Sequence, residues 1–261
     1  LCQNKRYNNM EEVQHHIKCK KGDIARYVLL PGDPARVKII ADFFDESWKV
    51  AENREYITYT GKVDGIPISV TSTGIGCPAA TIAAEELINV GAEVLIRVGT
   101  SGGIDPSIKG GEVVIAQAAV RYDGATREYI TIEYPAVADL DVTNALVLGA
   151  KRIGVKPRVG IVWTHDAFYR GTWTGWMPDA NEVYKPWLKG GVLCVENECS
   201  GLFVVSRIRR VKAGAVLAVA GNNLDPERQE DDMLLKDTII KAIKTAINAV
   251  KILEKERDVL P

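Results

Sequence analysis

From about residue 26 onward, short apolar runs alternate with stretches of helical period, and that alternation confines the chain to an α/β fold. Arg26-Tyr27-Val28-Leu29-Leu30 reads as a short strand. Asp33-Pro34 then supplies an N-cap and a first-turn proline for a helix reaching about Phe44. Tyr56–Val63 and Ile66–Ser72 flank Asp64-Gly65, the signature of a hairpin. Further strands are expected over Glu93–Gly99 (ending in a glycine turn), Glu112–Val120, Arg158–Trp163, Val192–Val195 and Ala215–Ala220, the last closing the sheet. Helices are expected over Pro78–Val90, Thr143–Ile153, Glu198 to about Arg210, and about Glu230 to Glu256. With no repeat, low-complexity tract or linker, the pattern gives one α/β domain with a mixed sheet.

Charge and cysteine usage exclude several classes. Basic and acidic side chains number 33 and 34, so no overall cationic footprint invites nucleic acid or a membrane surface. Cysteines 2, 19, 77, 194 and 199 form no CxxC pair and read as reduced thiols of an intracellular, cytoplasmic protein. No apolar run approaches the ~18 residues of a spanning helix. Leu1 to Asn9 is polar and lacks the apolar core of a secretory signal, and Met10 reads as the natural start after an upstream extension. Thr164 to Gly191 is the least regular stretch, with tryptophans 173 and 176 after Trp163; a lid or specificity loop and a packed surface excursion are the two readings.

Three arginines stand in short Gly- or Glu-marked contexts: Arg36 in Pro31-Gly32-Asp33-Pro34-Ala35-Arg36, Arg54 in Asn53-Arg54-Glu55-Tyr56, and Arg97 in Arg97-Val98-Gly99-Thr100-Ser101-Gly102-Gly103. The planar arginine fork matches phosphate oxygens two at a time. Arg36 would sit on the first turn of a helix, where anions are favoured. Val94-Leu95-Ile96-Arg97-Val98 reads as a strand buried on both faces, so a bound anion or a carboxylate must satisfy Arg97. Thr100, Ser101 and Gly102 offer hydroxyl and amide donors at the same sheet edge. Together they predict a small-anion site on a rigid sheet.

Other motifs are weaker. Gly74-Ile75-Gly76-Cys77-Pro78-Ala79 fits the loose dinucleotide pattern, but it follows a hairpin strand and no acidic residue ends the next strand. Glu196-Asn197-Glu198 is either a helix start decorated with acids or a carboxylate site for paired sugar hydroxyls. His15 and His16 lie in a polar N-terminal segment, and Asn222-Asn223 reads by default as a turn.

Taken together these segments resemble the nucleoside phosphorylase family, which includes uridine phosphorylase and the hexameric purine nucleoside phosphorylases. The densest stretches are Tyr27–Pro34, Ser72-Thr73-Gly74-Ile75-Gly76, Ile96–Thr100, Tyr134-Pro135-Ala136-Val137-Ala138-Asp139-Leu140 and Asp166-Ala167-Phe168-Tyr169. The Pro-Ala-Val-Ala-Asp stretch is most similar to the uridine branch. The resemblance implies a three-layer α/β/α domain over 16–261, after an extension over 1–15. It implies phosphorolysis of a nucleoside, uridine favoured, to free base and ribose 1-phosphate. Gly32, Arg36, Arg97 and Thr100 match the family's phosphate ligands, with Arg54 lent across a dimer interface. His16 matches a histidine reaching the neighbouring subunit's ribose. Glu198, with Asn197 before it, matches the pair that holds the ribose, with Glu196 also expected at the nucleoside; Phe168 lies beneath the base and Gly102 lines its pocket. A trimer of dimers follows, with inorganic phosphate as co-substrate and no metal or organic cofactor required. Some relatives also hold a monovalent cation at that interface, where Glu55 and Ser72 would sit.

Departures from the family pattern fall at the base. Uridine phosphorylases carry a Gln and an Arg after the Phe-Tyr pair, whereas this chain reads Phe168-Tyr169-Arg170-Gly171-Thr172-Trp173. Where purine-specific relatives place an Asp, this chain has Asn222 or Asn223, which donates a hydrogen bond but not a proton. Asn197 in place of methionine makes the pocket floor more polar. Purine nucleoside or methylthioadenosine phosphorolysis, a nucleosidase and a non-catalytic binding protein are the alternatives.

Overall fold

The computed structural model describes residues 12–170, 179–225 and 231–256. The chain-start reading, Trp173 and Trp176 lie outside the described residues. Chain order opens with β1 (Tyr27–Leu30), α1 (Pro34–Ala41), β2 (Glu46–Asn53), β3 (Tyr56–Val63), β4 (Ile66–Thr71) and α2 (Cys77–Asn89). It continues with β5 (Val94–Gly103), β6 (Val113–Tyr122), α3 (Ala125–Tyr129), β7 (Ala136–Val137), α4 (Leu140–Arg152) and β8 (Arg158–His165). It ends with α5 (Ala180–Lys189), β9 (Val192–Glu196), α6 (Cys199–Arg209), β10 (Lys212–Asn222) and α7 (Asp232–Lys255).

Strand periodicity builds the layers. In β1 and β5, Val28, Leu30 and Leu95 face one side and pack with Ala83, Leu87, Leu202 and Phe203 of α2 and α6. Tyr27, Leu29, Val94 and Ile96 face the other and pack with Val37, Ile40, Leu146, Ile243 and Val250 of α1, α4 and α7. The result is the three-layer arrangement with a mixed sheet. Two residues beyond Leu95, Arg97 therefore points toward the α2–α6 side.

The sheet also closes on itself. Strands run in the order β10-β6-β8-β9-β5, and β5 pairs in parallel with β10 again, from Val94↔Lys212 to Gly103↔Asn222. From β5 the strands β1, β4, β3 and β2 extend as an outer blade. Strands β8 and β9 run opposite to β5 and β10, yet residues near the carboxyl ends of all four line one cavity.

Several expectations shift. The helix begun by Asp33, whose carboxylate accepts from Ala35 N, ends at Ala41 rather than Phe44. Gly99–Gly103 is strand rather than turn, because β10 and β9 continue the ladder alongside it. Residues 164–191 are not one irregular stretch: β8 runs to His165 and α5 occupies Ala180–Lys189. Strand β2, polar along most of its length, was not expected; among the described residues it pairs only with β3, at the sheet edge. No helix of the described residues is long and apolar enough to cross a membrane.

Candidate active site

A cavity of about 830 Å³ opens at the gathered strand ends. Its wall includes Gly32, Arg36, Arg97 and Thr100 at one corner, Glu196, Asn197 and Glu198 on the floor, and Gly102, Phe168 and Asn223 beyond. Ten of the thirteen residues expected in the site therefore line one space.

The arginine corner rests on a missing side chain. A Cβ at Gly99 would lie 3.0 Å from both Nε and Cζ of Arg97, so glycine there lets the guanidinium fold along the sheet. Arg97 is 5% exposed; its Nε lies 3.3 Å from Glu196 Oε2 and its second terminal nitrogen donates to Glu198 Oε2. The remaining nitrogen, Nη1, is buried without a hydrogen-bond partner among the described residues, and Gly32 stands beside it. Arg121, also buried, differs: its two terminal nitrogens reach the carbonyls of Thr126, Ile130, Thr131 and Tyr134 at 2.5–2.9 Å. Arg121 staples a loop, whereas Arg97 keeps a donor in reserve. Among the described residues Arg36 reaches only Val98 O, at 3.5 Å. Burial pulls its guanidinium below the ordinary value, Asp33 opposes that shift and Arg97 adds to it. Two guanidinium groups converging on one glycine-lined corner call for an anion.

Glu196 and Glu198 divide their work. Helix α6 has no side-chain cap from its own N-cap residue, Glu198. Glu196 Oε2 instead accepts from Glu198 N at 2.8 Å and Cys199 N at 2.9 Å, while Oε1 accepts from the Thr164 hydroxyl. That carboxylate positions its neighbours. Glu198 is left to face the cavity, with Oε1 accepting from Gly76 N at 2.7 Å. The loop that loosely matched a dinucleotide motif thus holds a carboxylate, with Gly76 at φ +90°. Burial pushes the Glu198 carboxyl above its usual range against the pull of Arg97. Burial alone would lower the Arg97 guanidinium, but Glu198 and Glu196 outweigh it and raise it instead.

At the far wall the two asparagines separate. Asn223 lines the cavity and donates to the Tyr184 hydroxyl at 3.1 Å. Gly102 permits that placement, since a Cβ there would fall 2.5 Å from Asn223 Oδ1. Asn222 is not on the wall: it donates to Asp105 O at 2.7 Å and Ile108 O at 2.9 Å and accepts from Leu224 N at 2.9 Å. Its expected catalytic role is corrected to that of a turn holder, because all its polar atoms are committed to the backbone. Asn197 lines the cavity while its amide donates to the His165 carbonyl.

Arg54 and His16 do not reach the cavity of their own chain. Arg54 is exposed at the β2–β3 turn with φ +55°. His16 Nδ1 lies 2.7 Å from Glu86 Oε1, and the Asn53 amide donates to His16 O at 2.7 Å, so both segments share one edge of the molecule. Ser72 is fully buried, donating to Glu55 O and accepting from Ile57 N. Among the described residues no three His, Cys, Asp or Glu side chains group to hold a metal.

Among the wall residues not expected in the site, one carries an imidazole. His165 lines the cavity at the end of β8, 3% exposed and stacked on Trp163 with ring centroids 4.2 Å apart. Burial, helped by the charge of Arg170, pushes its pKa down to about 4. The only sequence signal was a polar residue ending an apolar strand.

Comparison with known proteins adds a lineage. The Phosphorylase superfamily model matches residues 26–253. The chain is 45% identical over 257 residues to a uridine phosphorylase of Thermococcus kodakarensis, covering 95% of this chain and 91% of that one. It is 44% identical over 245 residues to a uridine phosphorylase of Treponema pallidum, covering 93% and 95%. Among solved structures, the purine nucleoside phosphorylase of Toxoplasma gondii in complex with immucillin-H superposes with a TM-score of 0.85 at 33% identity, over 94% of this chain and 98% of that one.

Proposed function

This chain belongs to the Phosphorylase superfamily, and on that premise we propose that it catalyses reversible phosphorolysis of uridine to uracil and ribose 1-phosphate. The observation that carries the reading is the Arg97–Glu198 pair, which joins an anion corner to a cavity-facing carboxylate.

Inorganic phosphate sits against Arg36, Arg97, Gly32 and Thr100, with the unpartnered Nη1 of Arg97 as one donor. Glu198 accepts from the ribose hydroxyls, which a carboxylate can do while keeping its bonds to Gly76 and Arg97. Phe168 packs on the base and Asn223 bonds its edge. Fixing both substrates replaces a bimolecular encounter by an intramolecular one. The bond from the anomeric carbon to the base nitrogen breaks, its electron pair leaving with the base, which takes up the proton given up by hydrogen phosphate and is released as neutral uracil. A phosphate oxygen forms the new bond to the same carbon. Phosphate charge stabilises the cationic sugar in between, and the arginines keep that charge in place. A hydrogen bond to a charged group is worth roughly 1.5–3 kcal/mol, so removing one arginine lowers phosphate use by about one to two decades.

Uridine is favoured over purine nucleosides because Asn223 can donate to a base but cannot protonate one, and the named relatives at 44–45% identity support the same choice. Arg54 and His16, grouped at one edge outside their own cavity, support a site completed by a second copy and hence a hexamer of three such dimers. Four free, buried cysteines among the described residues support action in the cytoplasm. Uracil release from uridine, measured with and without phosphate and beside inosine and methylthioadenosine, tests the reading. Phosphate-dependent release from uridine is expected; release without phosphate would make the protein a nucleosidase.

A further inference from the structure

No glutamine closely follows Phe168-Tyr169 to read the base, and one buried ring on the same wall has a hydrogen bond unmet among the described residues. His165 Nδ1 is buried and without a partner among the described residues. Buried polar atoms are almost always bonded, so such an orphan on a cavity wall points to a ligand.

Position fixes which part of the ligand it meets. A chain of contacts crosses the floor: Arg97 bonds Glu198, Asn197 is its chain neighbour, and the Asn197 amide bonds the His165 carbonyl. If Arg97 marks phosphate and Glu198 the sugar, the next station is the base. Tyr184, which joins Asn223 on that wall, packs edge-on against the same Trp163 that His165 stacks upon.

We propose that His165 is a specificity-determining residue whose imidazole hydrogen-bonds the polar edge of the nucleobase, resting on the phosphorolysis reading for the order of subsites. The ring is held for the task. Thr164 and His165 are paired with Arg121 and Tyr122 of β6, the carbonyl is tied to Asn197, and the face is stacked on Trp163 at 11°. Arg170, which bonds the Tyr122 hydroxyl at 3.0 Å, adds positive charge nearby. The ring therefore stays neutral, one nitrogen donating and the other accepting, as a base edge alternating C=O and N–H requires. A residue kept only to pack on Trp163 could be phenylalanine without loss.

His165→Phe keeps the aromatic stack and removes both nitrogens; His165→Gln removes the ring and restores polar atoms. Calorimetric binding of uridine and of 3-methyluridine, without phosphate so that nothing turns over, reads the contact. Wild type should prefer uridine, and His165→Phe should lose roughly 10–100-fold in uridine affinity, with that preference shrinking, while His165→Gln recovers part of it. Should one variant fail to fold, the other decides alone: a lost preference in Phe, or one altered in Gln, supports the contact. Unchanged uridine affinity and preference in a folded variant overturns it. Phosphate-dependent uracil release by the wild type is scored separately. Binding that depends on His165 without uracil release would remove the reaction and keep the contact; release with His165-independent binding would do the reverse.

Discussion

The Arg97 guanidinium and the Glu198 carboxylate meet on the floor of the cavity, each more than nine-tenths buried, so the phosphate and sugar stations share one ion pair. Deleting either partner strands a charge out of water. Glu198→Ala should destabilise the fold by about 3–5 kcal/mol, whereas Glu198→Gln, which can still accept from Gly76 N, should cost less. Urea denaturation of the two variants checks the difference, and both should lose uridine phosphorolysis.

Gly99 is predicted to matter through Arg97 rather than through its own backbone. In Gly99→Ala the new methyl meets Arg97 Cζ at 3.0 Å and Leu217 Cδ2 at 2.8 Å. Displacing the guanidinium should raise the KM for phosphate by about tenfold or more, the worth of one charged hydrogen bond. Steady-state kinetics at varied phosphate reads this directly, and a KM within twofold of wild type would refute it.

Neighbouring asparagines should give opposite phenotypes. Asn222→Ala removes three hydrogen bonds to the backbone and should cost roughly 1–3 kcal/mol of stability with little change in base preference. Asn223→Ala should cost less stability than Asn222→Ala and lower kcat/KM for uridine by about tenfold. Paired thermal melts and kinetics separate the two.

Stability should carry a histidine signature in acid. The folded His165 takes up its proton near pH 4 rather than at the ordinary 6.5, so the folded state binds fewer protons between those values. Wild-type stability attributable to His165 is complete above about pH 6.5, declines as pH falls, and reaches its floor near pH 4. Glu198, pushed upward by burial, contributes the opposite slope, with stability falling as pH rises past the ordinary carboxylate range. Comparing wild type with His165→Phe cancels that common contribution. The melting-temperature difference between them should shift in favour of the variant between pH 6.5 and 4.

Arg54 lies outside its own cavity, so complementation should reveal a shared site. Arg54→Ala and Glu198→Gln chains, each nearly inactive alone, should recover part of the wild-type rate when refolded together. No recovery in a mixed assembly would mean that each chain works alone.

Much of this was legible in the chain. The apolar run Val94-Leu95-Ile96-Arg97-Val98, read as a strand buried on both faces, marked an arginine that needed an anionic partner, and Glu198 and Glu196 are that partner. Asp33-Pro34 and Asp64-Gly65 fixed a helix start and a hairpin through local chemistry alone. What escaped depended on distant pairing. Gly99–Gly103 resembles a turn until β10 is laid beside it. Asn222 and Asn223 are indistinguishable by type, and a one-residue difference in direction sends one to the loop carbonyls and the other to the cavity. His165 was hidden because its significance comes from Trp163 and Asn197, the second just beyond the end of another strand.

Closure of β5 onto β10 has a consequence for how the molecule comes apart. A ring of strands has no free end within it, so β5, β6, β8, β9 and β10 can separate only together. Arg97, Glu196, His165 and Gly102 stand on that ring, and their amide protons should exchange only through global opening. The outer blade ending in β2 has one unpaired edge and can fray by itself. Such an excursion carries Arg54 away and leaves the cavity floor assembled, so a chain could release its neighbour without dismantling its own chemistry.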